Sequence, residues 1–223
     1  MKPTRLLFIM IFLLPAACAR LPEIRTPSDA ARTDPAAACA RIFPHGRWQF
    51  VHSIEAAPPD GARQTLLGVI QVSSRHRAVH CIMMTVEGLV ILEARYDGAV
   101  HIQRAVPPMD RPGLAEGVIR DLLLVFFAPE QPARQAGFVG GGDPICRYPL
   151  PDGGIQDIQI KDNGQWTIRR YTARRRMIRS VHSDPGVRLS SLGFPTRLVL
   201  QAQGLLGYRL TMTLLEATPL EDP

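Results

Sequence analysis

The chain has 223 residues, 46% of them hydrophobic, with 26 lysines and arginines against 20 aspartates and glutamates for a formal charge of +6. Only 6% are aromatic, and no arginine-rich helix or stacking pattern accompanies the basic excess, so no nucleic-acid partner is expected. The length suits one domain that buries close to ~70% of its unfolded surface, and a monomer is expected.

Lys2 and Arg5 precede the apolar run Leu6 to Leu14, which leads into Pro15-Ala16-Ala17-Cys18. The run falls short of the ~20 residues a membrane span needs, so residues 1–17 read as a removable export signal. Its end resembles the lipobox of bacterial lipoproteins. That resemblance implies a diacylated Cys18 and a membrane anchor, with Ala19 next to it implying the periplasmic face of the outer membrane. Pro15 stands where the motif usually has Leu, and simple cleavage after Ala19 stays open as the alternative. Loss of Lys2 and Arg5 lowers the charge by two. Cys39, Cys81 and Cys146 would then remain, in a compartment that permits disulfides. One pair at most can form, and as small buried hydrophobes they need form none. No Cys-x-x-Cys spacing occurs, and neither metal nor cofactor is expected.

Residues 18–44, with Pro22, Pro27, Pro35 and Pro44 and the Ala36 to Ala38 patch, read as a lipidated cysteine and tether with at most a short helical turn. A domain is expected over 45–220. Alternation predicts strands from Gly46 onward and over Gln64 to Ser73, Ala78 to Val86, Leu89 to Tyr96 and Val100 to Val106. Glu87-Gly88 and Asp97-Gly98 supply hairpin turns. Val90, Leu92, Ala94 and Tyr96 share one face while Glu93 and Arg95 share the other, so the sheet meets a core on one side and solvent on the other. Leu114, Val118, Leu122, Val125 and Phe126 recur at helical spacing, with Asp110 as the expected cap and Pro129 as the stop. Ala128 to Pro144 reads as a glycine- and proline-rich loop. Five strands follow, over Ile155 to Ile160, Gln165 to Thr172, Arg176 to His182, Arg197 to Gln203 and Tyr208 to Leu215. The fold class is therefore mostly β with α.

This order of signal, tether, five strands, helix and further strands ending in Gly207-Tyr208-Arg209-Leu210-Thr211-Met212 resembles LolB-like outer-membrane lipoproteins. The segments Met84 to Leu89, Ala94 to Gly98 and Arg120 to Leu122 are more closely similar to a poorly characterised family of such lipoproteins, often found beside polyene or fatty-acyl assembly genes. The resemblance implies a curved antiparallel half-barrel with a helix in its concavity and an apolar cleft for an acyl or other lipid-like chain, without enzymatic activity. Its lining would comprise Trp48, Phe50, Ile70, Val72, Leu92, Tyr96, Leu198, Leu200, Leu210 and Met212, with Leu122 and Phe126 from the helix. A filled core made of the same residues is the alternative. The lipoprotein receptor itself carries an exposed apolar residue on a projecting loop between early strands. Here the comparable connection reads as the tight turn at Glu87-Gly88; Phe138 and Val139 in the later loop are expected to pack, with a role as a substitute membrane probe as the alternative.

No Gly-x-Ser-x-Gly elbow or phosphate loop occurs. His76 and His80 on one strand would lie ~13 Å apart, too far to share a metal. Gly140 to Asp143 reads as a flexible loop. Arg169, Arg170, Arg174, Arg175, Arg176 and Arg179 crowd one hairpin. They form a candidate surface for anionic lipid headgroups, or a solvated hairpin protected from edge pairing. A catalytic reading would need His52, His101, Asp121 and His182 to converge.

Overall fold

In a computed structural model, the structure describes residues 21–26, 34–58, 61, 63–185, 193–204 and 207–221. The export signal and Cys18 lie outside the described residues. Strands β1 (Arg47–Ala57), β2 (Gln64–Ser73), β3 (Ala78–Thr85), β4 (Val90–Tyr96) and β5 (Val100–Ala105) form the expected meander. Helix α2 (Leu114–Phe126) follows; a shorter helix, α1 (Pro35–Ala40), precedes β1. The chain continues as β6 (Gln135–Val139), β7 (Asp143–Pro149), β8 (Ile155–Ile160), β9 (Trp166–Tyr171), β10 (Met177–Ser183), β11 (Arg197–Ala202) and β12 (Tyr208–Leu220).

All twelve strands join one antiparallel sheet in the order β5-β4-β3-β2-β1-β12-β11-β10-β9-β8-β7-β6. The chain therefore walks from the centre to one edge and passes through α2 to the other edge. It then walks back until β12 pairs with β1. The sheet is open, with β5 and β6 as its two edges. One bulge marks its centre: Val51 faces Glu216 and His52 faces Leu214, which leaves Leu215 without an opposite residue and turned outward. The extra residue lies on β12, and β1 alternates unbroken past it, with Phe50, His52 and Ile54 turned inward.

The helix begins differently from the sequence expectation. Asp110 does not cap it; Gly113 occupies that position with φ 79° and no side-chain bond. Glycine is suited there because the left-handed region is costly for residues with a Cβ. Ile119, Leu122, Leu124, Val125 and Phe126 turn inward, each buried aliphatic or aromatic side chain contributing roughly 1.5–3 kcal/mol. They pack on β3, β4 and β5, and Phe126 stacks on Phe50 of β1 with ring centroids 5.1 Å apart.

Residues 128–144 are not a plain loop. They contain β6 and the first residues of β7, paired from Gln135 with Arg147 to Val139 with Asp143. Phe138 and Val139 lie in β6, with Val139 buried, so they do not project as a probe. The N-terminal stretch is likewise engaged. Arg25 exchanges backbone hydrogen bonds with Phe138, each 2.9 Å, and Arg147 donates to the Pro22 carbonyl. Gly137 lies under this crossing, where a Cβ would collide with the Arg25 carbonyl. Within the expected tether, α1 packs on β6, β7 and β8 and is capped by Asp34, whose carboxylate accepts from the Ala36 amide. Cys39 of α1 and Cys146 of β7 form a disulfide across 107 positions, while Cys81 is a buried free thiol. Residues 35–44 thus belong to the folded body. The pairing was not legible because three thiols with no telling spacing allow any partner.

Candidate functional site

The inner face of the sheet is where the expected lining residues converge. Phe50, Ile70, Val72, Leu92, Leu122, Phe126, Leu198, Leu200 and Met212 are all buried in one apolar cluster, and Trp48, Tyr96 and Leu210 are half-buried against it. Their meeting follows from period-two alternation along five strands plus the inward stripe of α2. They are packed against one another. Between α2 and strands β1, β9, β11 and β12 the packing leaves a gap of about 20 Å³, bounded by Phe50, His52, Val125, Phe126, Trp166 and Phe194 among others. That is room for about one water molecule, not a chain.

Aromatic contacts ring this gap. Phe194 meets Trp48 and Phe50 edge-on at 4.9 Å each, and His52 lies edge-on to Phe126 at 6.3 Å. His52 is 3% exposed and its Nδ1 has no hydrogen-bond partner among the described residues. Burial without a counter-charge pushes its pKa down to about 4, so the ring is neutral at physiological pH. Neither Phe194 nor the buried His52 was singled out as lining by the sequence; inward alternation next to Phe50 was the available signal for His52.

A polar node ties α2 to the returning half of the sheet. Asp121 accepts from Arg179 Nε of β10 at 3.0 Å and from the hydroxyl of Tyr208 of β12. Arg179 also lies over the Tyr208 ring, 5.5 Å from its centroid. Burial pushes the Asp121 carboxyl up, and the Tyr208 hydroxyl and Arg179 guanidinium pull it back without cancelling the rise. The Tyr208 hydroxyl is raised in turn, by burial first and by the neighbouring carboxylate second.

The four groups that a catalytic reading would need have separate partners. His52 faces the aromatic gap, His101 pairs with Asp97 at the exposed β5 edge, and His182 meets Thr167. Asp121 belongs to the node just described. His76 bonds Ser73, and His80 bonds Glu93.

The six arginines do not form one patch. Arg169 donates to Gln159, Arg170 to Asp152 and Arg179 to Asp121. Arg174, Arg175 and Arg176 stand exposed at the β9–β10 turn, where Arg175 adopts φ 61°. The β3–β4 connection is tight, as the sequence indicated, yet Val86 and Leu89 on either side of Glu87-Gly88 are 60% and 53% exposed.

With this geometry in hand, comparison with solved structures decides the fold. A LolA-superfamily protein from Nitrosomonas europaea superposes with a TM-score of 0.50 over 85% of this chain and 93% of that one, at 12% identity. The fold is LolA-like. A Vibrio parahaemolyticus domain named for outer membrane lipoprotein sorting is also similar, with a TM-score of 0.48, 10% identity, and coverage of 83% of this chain and 92% of that one. No family model and no curated protein sequence matches the chain. The LolA-like sheet here is open and curved, with few helices, and its apolar face is the one that carries the expected lining.

Proposed function

We propose that the protein is an exported, non-enzymatic lipid-handling lipoprotein, anchored through Cys18 at the periplasmic face of the outer membrane, whose inner face takes an acyl or similar chain. In this reading α2 and the aromatic ring cover the concavity. The observation that carries this reading is the seam around His52. An apolar interior that is covered by one helix, and that still leaves a gap and an imidazole nitrogen unpartnered among the described residues, is packed less completely than a core of fixed purpose. The LolA-like fold and the Cys39–Cys146 bond, which suits an oxidising compartment, support the same reading.

The test is uptake of a fluorescent fatty acid by the domain lacking its signal, with native mass spectrometry of the purified protein for carried lipid. Replacing Phe194 with Ala should widen the gap and tighten probe binding several-fold. Absence of carried lipid together with no uptake by either protein would overturn the proposal. For the anchor, Cys18→Ser should abolish acyl labelling and release the protein from membranes; labelling that survives places the lipid elsewhere.

A second reading is favoured by the closed packing itself: an interaction lipoprotein with a filled core that meets anionic headgroups through Arg174, Arg175 and Arg176. Replacing those three with Gln should then weaken binding to acidic vesicles, with wild-type binding falling as salt rises. Equal binding across a salt series would remove this reading.

A further inference from the structure

On the other side of α2 from the aromatic seam, a cleft of about 180 Å³ opens between the end of the helix, the β2–β3 turn and the ribbon β7–β9. We propose that it binds the carboxylate or phosphate headgroup of a single-chain amphiphile, with the first carbons of the chain lying against α2. The proposal stands independently of any acyl site in the interior, because Arg120, Leu123, Leu124 and Phe127 of the helix region line this cleft, whereas Val125 and Phe126 line the seam.

Three guanidinium groups from distant parts of the chain meet there: Arg77, Arg120 and Arg170. Against them the lining holds one carboxylate, Glu130, which pairs with Arg77 at 3.0 Å. Arg170 donates through Nη2 to Asp152 at 2.9 Å. Arg120 donates to the backbone carbonyl of Glu116 and makes no ion pair among the described residues, so its guanidinium keeps free donors. The planar, multi-donor guanidinium suits oxyanions of carboxylate or phosphate geometry.

One buried polar group on the wall lacks a partner. The Nε of Arg170 is buried with no hydrogen bond among the described residues. Gln156, 5% exposed and directly opposite Arg170 in the β8–β9 register, lines the same wall. Buried donors are nearly always satisfied. An unsatisfied donor beside an arginine without an ion pair calls for a ligand that brings acceptors. The remaining wall is apolar, formed by Leu123, Phe127 and Leu150 with the prolines at 149 and 151. An inorganic ion alone would leave that wall unused; a headgroup followed by methylenes covers it. Arg77 holds the geometry by donating to the Ala128 carbonyl and lying over the Phe127 ring.

Calorimetric titration of the domain lacking its signal tests this, with dodecyl phosphate, laurate, dodecyl maltoside and inorganic phosphate, each below its micelle concentration. Dodecyl phosphate should bind more tightly than the neutral maltoside and at least tenfold more tightly than inorganic phosphate, and its affinity should fall with salt. Arg120→Glu should weaken dodecyl phosphate at least tenfold, Arg120→Gln and Gln156→Leu several-fold, with maltoside binding unchanged in all three. Arg120 is exposed on α2, so its two variants should keep the wild-type unfolding midpoint; Gln156 is buried, so Gln156→Leu is read through the ratio of its phosphate to maltoside affinities. Laurate binding that follows dodecyl phosphate identifies the shared oxyanion chemistry; a preference for one assigns the headgroup.

Arg120→Glu binding dodecyl phosphate as tightly as wild type would overturn the site, as would maltoside binding as well as the phosphate. Inorganic phosphate matching dodecyl phosphate would overturn the amphiphile. Failure of the interior acyl site shows separately, as loss of fatty-acid probe uptake without any effect of the arginine variants.

Discussion

The outgoing half of the sheet, β1 to β5, and the half from β6 to β9 are held in different ways. The outgoing half buries one face under α2 and shows the other to solvent; β5, at its edge, is largely exposed. The β6–β9 half is held on both faces. α1 is bonded to it through Cys39, residues 22 and 25 cross its outer side, and Arg147 pairs with a fully buried Asp157 at 2.8 Å. One half is covered by a helix held through packing and the Asp121 node, and the other is stapled by a covalent bond. A lipid-handling reading needs that asymmetry, since a cavity can open only where the cover is released without melting the wall.

Breaking the staple should have the largest effect. A disulfide that closes a loop of about 100 residues contributes roughly 4–5 kcal/mol, so Cys39→Ser or reduction should lower stability by about that amount in denaturant titrations. Hydrogen exchange should rise first in β6 to β8. Equal loss of protection across both halves would show that the asymmetry is not energetic.

Acid should act on the outgoing half instead. His52 binds its proton in the folded state only near pH 4, against an ordinary value of 6.5. Between those values the unfolded chain holds more protons. The stability that His52 contributes is therefore present above pH 6.5 and is lost as pH falls toward 4, to a limit of about 3 kcal/mol. A His52→Phe variant should have a flatter stability profile between pH 7 and 4; an unchanged slope would remove His52 as its source.

The smallest effect should come from the node on the cover. Asp121→Asn keeps the shape and removes the charge facing Arg179, and should cost about 1–2 kcal/mol. Its sharper readout is faster hydrogen exchange in α2 with β6 to β8 unchanged, and faster uptake of the fatty-acid probe. Unchanged exchange in α2 would mean that the node does not hold the cover.

Ten of the twelve strands were legible because each carries its own alternation and most turns carry glycine. β2 and β8 have the same bounds in sequence and structure. β6 and β7 were missed for a physical reason: Gln135–Val139 has no local pattern, and Gly137 is needed by the Arg25 backbone crossing above it. Nothing within that segment encodes a contact made over 100 positions away. The lining set was readable because a strand's period assigns faces; whether those faces enclose space was not, since that depends on how Phe126, Phe194 and Trp48 stack. The arginine cluster was visible as charge alone. Its division into Arg179 turned to Asp121, Arg170 at a cleft and Arg174 to Arg176 in solvent required the partners from other strands.

The crossing of residues 22 and 25 over β6 and β7 also sets a posture. Pro22 stands four positions after Cys18, and an extended chain spans at most ~3.6 Å per residue. With Cys18 lipidated, the leash is ~14 Å rather than the length of a 26-residue spacer. The acyl groups would then enter the bilayer beside the stapled edge, holding the molecule down by that shoulder, with β5 at the opposite edge of the sheet.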